Sequence, residues 1–356
     1  MFRQFSPEML WVARSLRRMS QTQLANRLQI SQARLSKIEA GIIQPTEELL
    51  PAIAQELHFR EHFFSHSELR RINPVSFHRK RQKLSAGDWE AINARAEVYR
   101  VTLTEMLRSI ELAVRKVAPP QIDPDQYDGR IDDVAVAVRQ AWMIPRGPIH
   151  DVIRACEDAG IVVVAFDFGT ELIDAFCQHA SDGLPPLIFL NTKVKEIDRI
   201  RFSVCHEVGH LVMHRIPNKH MEDQANQFAA SFLMPAQDIQ HSFRQMSLDK
   251  LMQLKLYWKV SMQALARRAR DLGEITERAF RYYMVEMSKR GWRSREPVSL
   301  DKDIEKPTTL RQMYFAHIAE LKYTFDDICE LFGLYGDDVE DMYPQDRPRL
   351  RLAVSN

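Results

Sequence analysis

The stretch DRIRFSVCHEVGHLVMHRI, residues 198–216, constrains this chain more than any other. It reads as one helix that has to stop before Pro217, because proline offers no N–H to the helix ladder and its ring clashes with the preceding turn. Residues four apart on a helix lie about 40° from eclipsed, on one face. His206 and His210 therefore aim imidazole nitrogens at one point. Glu207, turned about 100° from His206, stands beside that point. Two histidines that share a metal ion, with a carboxylate placed to take a proton from a water, suit this spacing. A chance H-E-x-x-H in a chain of this length is roughly a 1-in-40 event. The surrounding sequence has to carry part of the argument.

It does so in several places. Gly209 lets a neighbouring segment or a substrate approach the helix closely. A catalytic zinc takes a third protein ligand and keeps an open position. The segment MEDQANQFAASFLMP, residues 221–235, reads as a second helix stopping near Pro235. On it Glu222, Ala225 and Ala229 can share one face, and the alanines allow close packing. Glu222 leads as third ligand. His214, two steps of four from His206, drifts about 80° around the helix. Asp223 is a weaker competitor. The longer metzincin pattern is excluded, because no histidine stands six residues after His210. His214 reads as structural or as hydrogen-bonded to a ligand, and Asn226 as another partner of a ligand. Arg201 is expected either near the site or paired with a surface carboxylate, and Cys205 in the packing.

The length, 356 residues, exceeds one compact core, so two or three domains are expected. Residues 161–168, IVVVAFDF, and 185–191, PPLIFLN, read as buried strands. Helical patterns cover 87–117, 132–144 and 247–290. Residues 118–129, rich in Pro and Asp, and 291–308 read as loops. KYTFDDICELFGL, 322–334, reads as a small helical pair, and the end, RPRLRLAVSN, as a tail. No apolar run reaches the roughly 18 residues that span a bilayer, and the N-terminus lacks a signal-peptide pattern. The four cysteines are widely spaced, which suits reduced thiols and a cytoplasmic location.

Charge divides unevenly. Residues 1–85 hold 14 Lys+Arg against 7 Asp+Glu, on a chain whose formal net charge is only +1. A basic N-terminal part points to a polyanionic partner. Within it, SQTQLANRLQISQARLSKIEAG begins at Ser20, a good N-cap. Leu24, Ala25 and Leu28 form an apolar face, Ile30 sits in a turn, and Ser31 caps a second helix. There Leu35 and Ile38 point inward, while Gln32, Ala33, Arg34 and Lys37 point outward. This is a helix-turn-helix pattern. Outward Gln and Lys reach base edges in a major groove, and Gln21 can meet a phosphate. A helical pair used for protein contacts or dimerisation gives the same pattern, so a homodimer stays open. Down to LSKIEAG the segment resembles the XRE family of phage-repressor-like domains, over about the first 60 residues. The resemblance implies an operator in double-stranded DNA, with Gln32, Ala33 and Lys37 at base-reading positions. Ala33, where a polar residue is usual, would offer only apolar contact to a thymine methyl.

PLIFLN, RFSVCHEVGHLVMH and EDQANQFAASFLMP together resemble the ImmA/IrrE family of metallopeptidases. GPIHDVIRACEDAGIVVV upstream, VSMQALARRARDLGEIT and MSKRGWRSREP downstream, and VSFHRKRQKLS after the first module fit versions fused to an XRE domain. The resemblance covers most of the chain. It implies zinc held by His206, His210 and Glu222, with Glu207 as general base. It further implies cleavage of a partner repressor protein in a stress, mobile-element or toxin–antitoxin-like circuit. The competing expectation is a non-proteolytic regulator whose peptidase-like domain is a sensor or a structural zinc domain. The expected fold is α+β and mostly helical. An all-α helix-turn-helix domain takes 1–66 and a basic linker 67–85. A zincin-like peptidase domain with a small sheet follows over 86–240, and a helical region over 241–356. No membrane partner is expected.

Overall fold

Hydroxyl residues at helix starts set much of this chain's punctuation. Ser20, Ser31, Ser247, Ser261, Thr276 and Thr324 each accept the backbone N–H three residues on, which satisfies a donor the helix itself leaves over. The computed structural model describes residues 5–66, 84–112, 118–181, 183–293, 295–297, 300 and 305–344. The basic segment 67–85, apart from Leu84 and Ser85, and the tail 347–356 lie outside the described residues. Two compact units form. The first takes Met1–Arg71, Glu90–Ile110 and Arg311–Asn356, and the second Ile72–Trp89 and Glu111–Leu310.

The first unit begins with α1 (Pro7–Leu16), α2 (Gln21–Arg27), α3 (Gln32–Glu39) and α4 (Leu49–Leu57). Ser20 and Gln23 form a reciprocal capping box at α2. Leu24, Ala25, Leu35 and Ile38 are fully buried, so α2 and α3 meet on the face that the apolar spacing marks. Arg14 of α1 grips Glu39 at the end of α3 through two hydrogen bonds of 2.8 and 2.6 Å. A further bond of 2.7 Å runs to the Met19 carbonyl. Phe59, Phe63 and Phe64, all fully buried, close the module beneath α4. The long helix α5 (Ala86–Leu107) contributes to this unit from Glu90 onward.

The second unit is built on a three-stranded sheet: β1 (Val162–Phe166), β2 (Ala175–Gln178) and β3 (Leu187–Asn191), in the order β1-β3-β2. β3 runs parallel to β1, with Val162 opposite Leu187, and antiparallel to β2, with Gln178 opposite Leu187. β1 and β3 are the two apolar runs that read as strands, and β3 is buried along its whole length. β2 carries no such sequence signal. It has only four residues and takes its place as an edge by pairing with β3. Helices α6 (Ile131–Ala141) and α7 (Val152–Asp158) precede β1. After the sheet come α8 (Ile197–Met213), α9 (Met221–Leu233) and the short α10 (Ala236–Ile239). Then follow α11 (Leu248–Trp258), α12 (Met262–Asp271) and α13 (Glu277–Lys289). One apolar core joins Val204, Val208 and Leu211 of α8, Phe228 and Phe232 of α9, and Ile188 of β3.

α8 and α9 pack closely at Gly209. A Cβ there would lie 3.1–3.2 Å from the ring and Cβ of Phe228, itself buried and stacked on Phe232. Gly209→Val therefore has no room for its methyls. Overpacking of this kind costs about 1–3 kcal/mol, so thermal or urea unfolding of the variant should report a loss of that size. An unchanged midpoint contradicts the packing.

The chain closes with α14 (Thr309–Ala319), α15 (Phe325–Phe332) and α16 (Gly336–Met342), which from Arg311 onward belong to the first unit. Arg17 of α1 pairs with both carboxylate oxygens of Asp338, at 2.9 and 2.5 Å. Gly333 has φ +69°, and a Cβ there would come within 2.9 Å of Phe63. KYTFDDICELFGL holds one helix, α15, and not the expected pair, and Gly333 at its end packs against Phe63 of the N-terminal module. Among the described residues no helix is long and apolar enough to cross a membrane.

Candidate metal centre

α8 delivers His206 and His210 one turn apart, and their Nε2 atoms lie 3.0 Å from each other. α9 brings Glu222 to the same point, with Oε1 3.5 Å from His210 Nε2 and Oε2 3.7 Å from His206 Nε2. One ligand atom from each of the three lies within 4.8 Å of the other two. Asp223, the competing carboxylate, lines the same cleft but does not join this cluster. His214 does not join it either.

Hydrogen bonds on the far sides of the rings decide what the three residues can hold. His206 Nδ1 lies 3.0 Å from the Asn226 side-chain oxygen, an acceptor only. That nitrogen therefore carries the proton, and Nε2 keeps a lone pair aimed at His210 and Glu222. His210 Nδ1 lies 2.9 Å from His214 Nδ1, and His214 Nε2 lies 3.0 Å from Gln224 Oε1. Two imidazole lone pairs and a carboxylate, converging with their outer nitrogens engaged, fit a zinc ion. The side chain of His210 is fully buried, whereas those of His206 and Glu222 are 13% and 23% exposed. The cluster is thus closed on the core side and open toward solvent.

The open side is a cleft of about 1220 Å³ whose walls include His206, Glu207, Glu222, Asn226 and Ala175 of β2. Glu207 is only 4% exposed. Cys177 of β2, fully buried, hydrogen-bonds to it. Burial pushes that thiol well above its usual range, and the Glu207 and Glu222 carboxylates push it further. The thiol therefore stays protonated and donates S–H to the Glu207 carboxylate. On the wall nearer the start of α8, Asp174 accepts two bonds from Arg199, at 2.9 and 2.6 Å, and one from Ser203.

Other residues singled out in the sequence find different places. His214 is fully buried at the C-terminal cap of α8, and His179 sits 3.2 Å from its carbonyl oxygen. Burial holds the His214 ring below the usual imidazole range, against the bond to Gln224, so it is neutral at neutral pH. Arg201 meets neither expectation. It is buried, pairs with the buried Glu305, and donates to the Ile149 carbonyl at 2.7 Å. It ties α8 to the segment before α7. Cys205 is fully buried in the core, as its place beside a ligand but off the ligand face implies. Cys177 and Gln224 carried no sequence signal. One lies on a four-residue strand, and the other stands two residues from Glu222, a spacing with no helical periodicity.

In the first unit, Gln32, Ala33, Arg34 and Lys37 form the exposed side of α3, and Gln21 is half-buried at the start of α2. The Gln32 side-chain amide donates to Gln21 Oε1 at 2.8 Å. The two glutamines are therefore coupled, and Gln32 is held extended from the first turn of its helix.

Two family models match the chain. Residues 13–62 match a helix-turn-helix family, and residues 156–270 match the IrrE N-terminal-like domain of a peptidase family. The second match spans His206, His210 and Glu222, together with Glu207 and the sheet. No curated protein matches the chain. A helix-turn-helix match at the N-terminus is thus followed by a match to an IrrE N-terminal-like peptidase domain.

Proposed function

We propose that the chain is a DNA-binding transcription regulator and a zinc-dependent endopeptidase, whose substrate is a partner repressor protein. The observation that carries this reading is the convergence of His206, His210 and Glu222 at an open cleft with Glu207 on its wall. His206, His210 and Glu222 would hold the zinc. When bound, zinc supplies Lewis-acid polarisation of the scissile carbonyl and lowers the pKa of a water. Glu207 takes the proton from that water and delivers it to the departing amide nitrogen. Its burial keeps bulk water from competing for the carboxylate, and the Cys177 thiol fixes its orientation. The alternation of an antiparallel pair turns the N–H and C=O of Ala175 and Cys177 to the outer edge of β2, where an extended peptide can add as a strand.

The helix-turn-helix module reads an operator through Gln32, Ala33, Arg34 and Lys37, with Gln21 at the backbone. It thereby brings the peptidase to a repressor bound at the same DNA and raises its effective concentration there. The work takes place in the compartment that holds the DNA, the cytoplasm. The test uses the purified full-length chain, zinc, and a candidate repressor protein. Mass spectrometry should show a new peptide end in the repressor, which disappears when a chelator removes the zinc and returns when zinc is restored. An intact repressor in every arm removes the proteolytic reading and leaves the regulator.

A further inference from the structure

Behind the metal centre, on the side away from the cleft, a chain of hydrogen bonds joins both ligand-bearing helices. It runs from His210 Nδ1 to His214 Nδ1, 2.9 Å, and from His214 Nε2 to Gln224 Oε1, 3.0 Å. His210 and His214 lie on α8, and Gln224 on α9, two residues beyond the ligand Glu222. We propose that His214 and Gln224 are positioning residues, which hold His210 in the one tautomer that can bind zinc. The inference rests on the reading of His206, His210 and Glu222 as zinc ligands.

The argument is one of donors and acceptors. A neutral imidazole has one N–H and one lone pair. The two facing Nδ1 atoms therefore share a single proton. Suppose Gln224 presents its oxygen to His214 Nε2. Then His214 carries its proton on Nε2, its Nδ1 is an acceptor, and His210 must donate from Nδ1. His210 Nε2 is left with its lone pair facing His206 and Glu222. Turning the chain around makes His214 donate from Nδ1 and puts the His210 proton on Nε2, where it points into the cluster and blocks coordination. The amide orientation of Gln224 thus selects between a ligand and a non-ligand. Water has no part in the choice at the histidines, since His210 and His214 are both fully buried. The arrangement also explains why the third histidine of the helix is present without being a ligand. A packing role alone would ask only for a ring of that size at 214, where it lies 4.9 Å from the His210 ring.

Zinc binding, measured by competition with a chromophoric chelator and without any substrate, separates the two. His214→Phe keeps the ring and removes the acceptor. His214→Asn keeps an acceptor oxygen near the former Nδ1. Loss of an outer partner of a metal-binding histidine typically weakens metal affinity by about 10–100-fold. The Phe variant should show that loss, with an unchanged far-ultraviolet circular dichroism spectrum, and the Asn variant should recover most of it. Gln224→Glu, an obligate acceptor, should bind zinc at least as tightly as the wild type, and Gln224→Leu more weakly. If His214→Phe fails to fold, the half-buried position 224 carries the test. Equal zinc affinity in wild type, His214→Phe and Gln224→Leu overturns the proposal, and so does an equal loss in the Phe and Asn variants. The control is His206→Ala against wild type. Absence of zinc uptake by the wild type itself overturns the metal-centre reading and not the relay alone.

Discussion

Glu207→Gln is expected to take up zinc like the wild type and to cleave the repressor substrate about 10²–10⁴-fold more slowly, the usual contribution of a positioned acid–base group. The amide is nearly isosteric with the carboxylate, so the buried position on α8 tolerates it. It still accepts a hydrogen bond from the Cys177 thiol, but it cannot take a proton from water at neutral pH. The ligands are untouched, because His206, His210 and Glu222 form the cluster without Glu207. Two measurements belong together: bound zinc by elemental analysis, and single-turnover cleavage followed by mass spectrometry. Wild-type cleavage with full zinc content would falsify the assignment of Glu207 as base. Lost zinc would instead mean that Glu207 holds the metal. Unaltered transcriptional regulation alongside lost cleavage favours a regulator whose peptidase-like domain serves as sensor or structural zinc site.

Gln32→Ala combined with Lys37→Ala is expected to weaken operator binding by about 10²–10⁴-fold at fixed salt, since each lost base contact removes about 1–3 kcal/mol of discrimination. Both side chains stand on the exposed face of α3, and neither belongs to the buried set of Leu24, Ala25, Leu35 and Ile38. The helix pair should therefore keep its fold. Gln21→Ala alone should cause a smaller loss, because it removes the brace on Gln32 and leaves Gln32 itself. Fluorescence anisotropy with operator and scrambled duplexes reads this out. Specific binding falls in the double variant while the salt-dependent, sequence-independent part largely remains, since only one cation is lost. Operator affinity unchanged in the double variant removes α3 as the reading helix. Zinc content should be the same in all these variants, as the metal ligands lie in the other unit.

Much of the fold is written locally. The N-caps at Ser20 and Ser31 and the apolar spacing of Leu24, Ala25, Leu35 and Ile38 specify two helices and the faces they bury. Val162–Phe166 and Leu187–Asn191 announce themselves as buried strands by their β-branched and apolar content. Pro217 and Pro235 bracket the second ligand helix. β2 was not legible, because four residues with no alternation form a strand only when β3 offers them a partner. That Glu90–Ile110 and Arg311–Asn356 pack with the first 71 residues was not legible either. Contacts such as Arg17 to Asp338 join positions far apart in sequence, and no local pattern encodes them.

The candidate site divides in the same way. By itself the sequence determined that His206, His210 and Glu207 share a turn of helix, since the helical period is a property of the backbone. It also put Glu222 ahead of His214, which drifts about 80° around the helix, and of Asp223 as third ligand. What the tertiary structure adds is which carboxylate lies near the two rings. Packing of Phe228 against Gly209 sets α9 beside α8 and turns Glu222, but not Asp223, toward both Nε2 atoms. The same contact sets Asn226 beside His206 Nδ1 on the cleft wall and Gln224 beside His214 Nε2 on the far side. Those contacts depend on distances of about 3 Å between separate helices, and a one-dimensional pattern does not contain them.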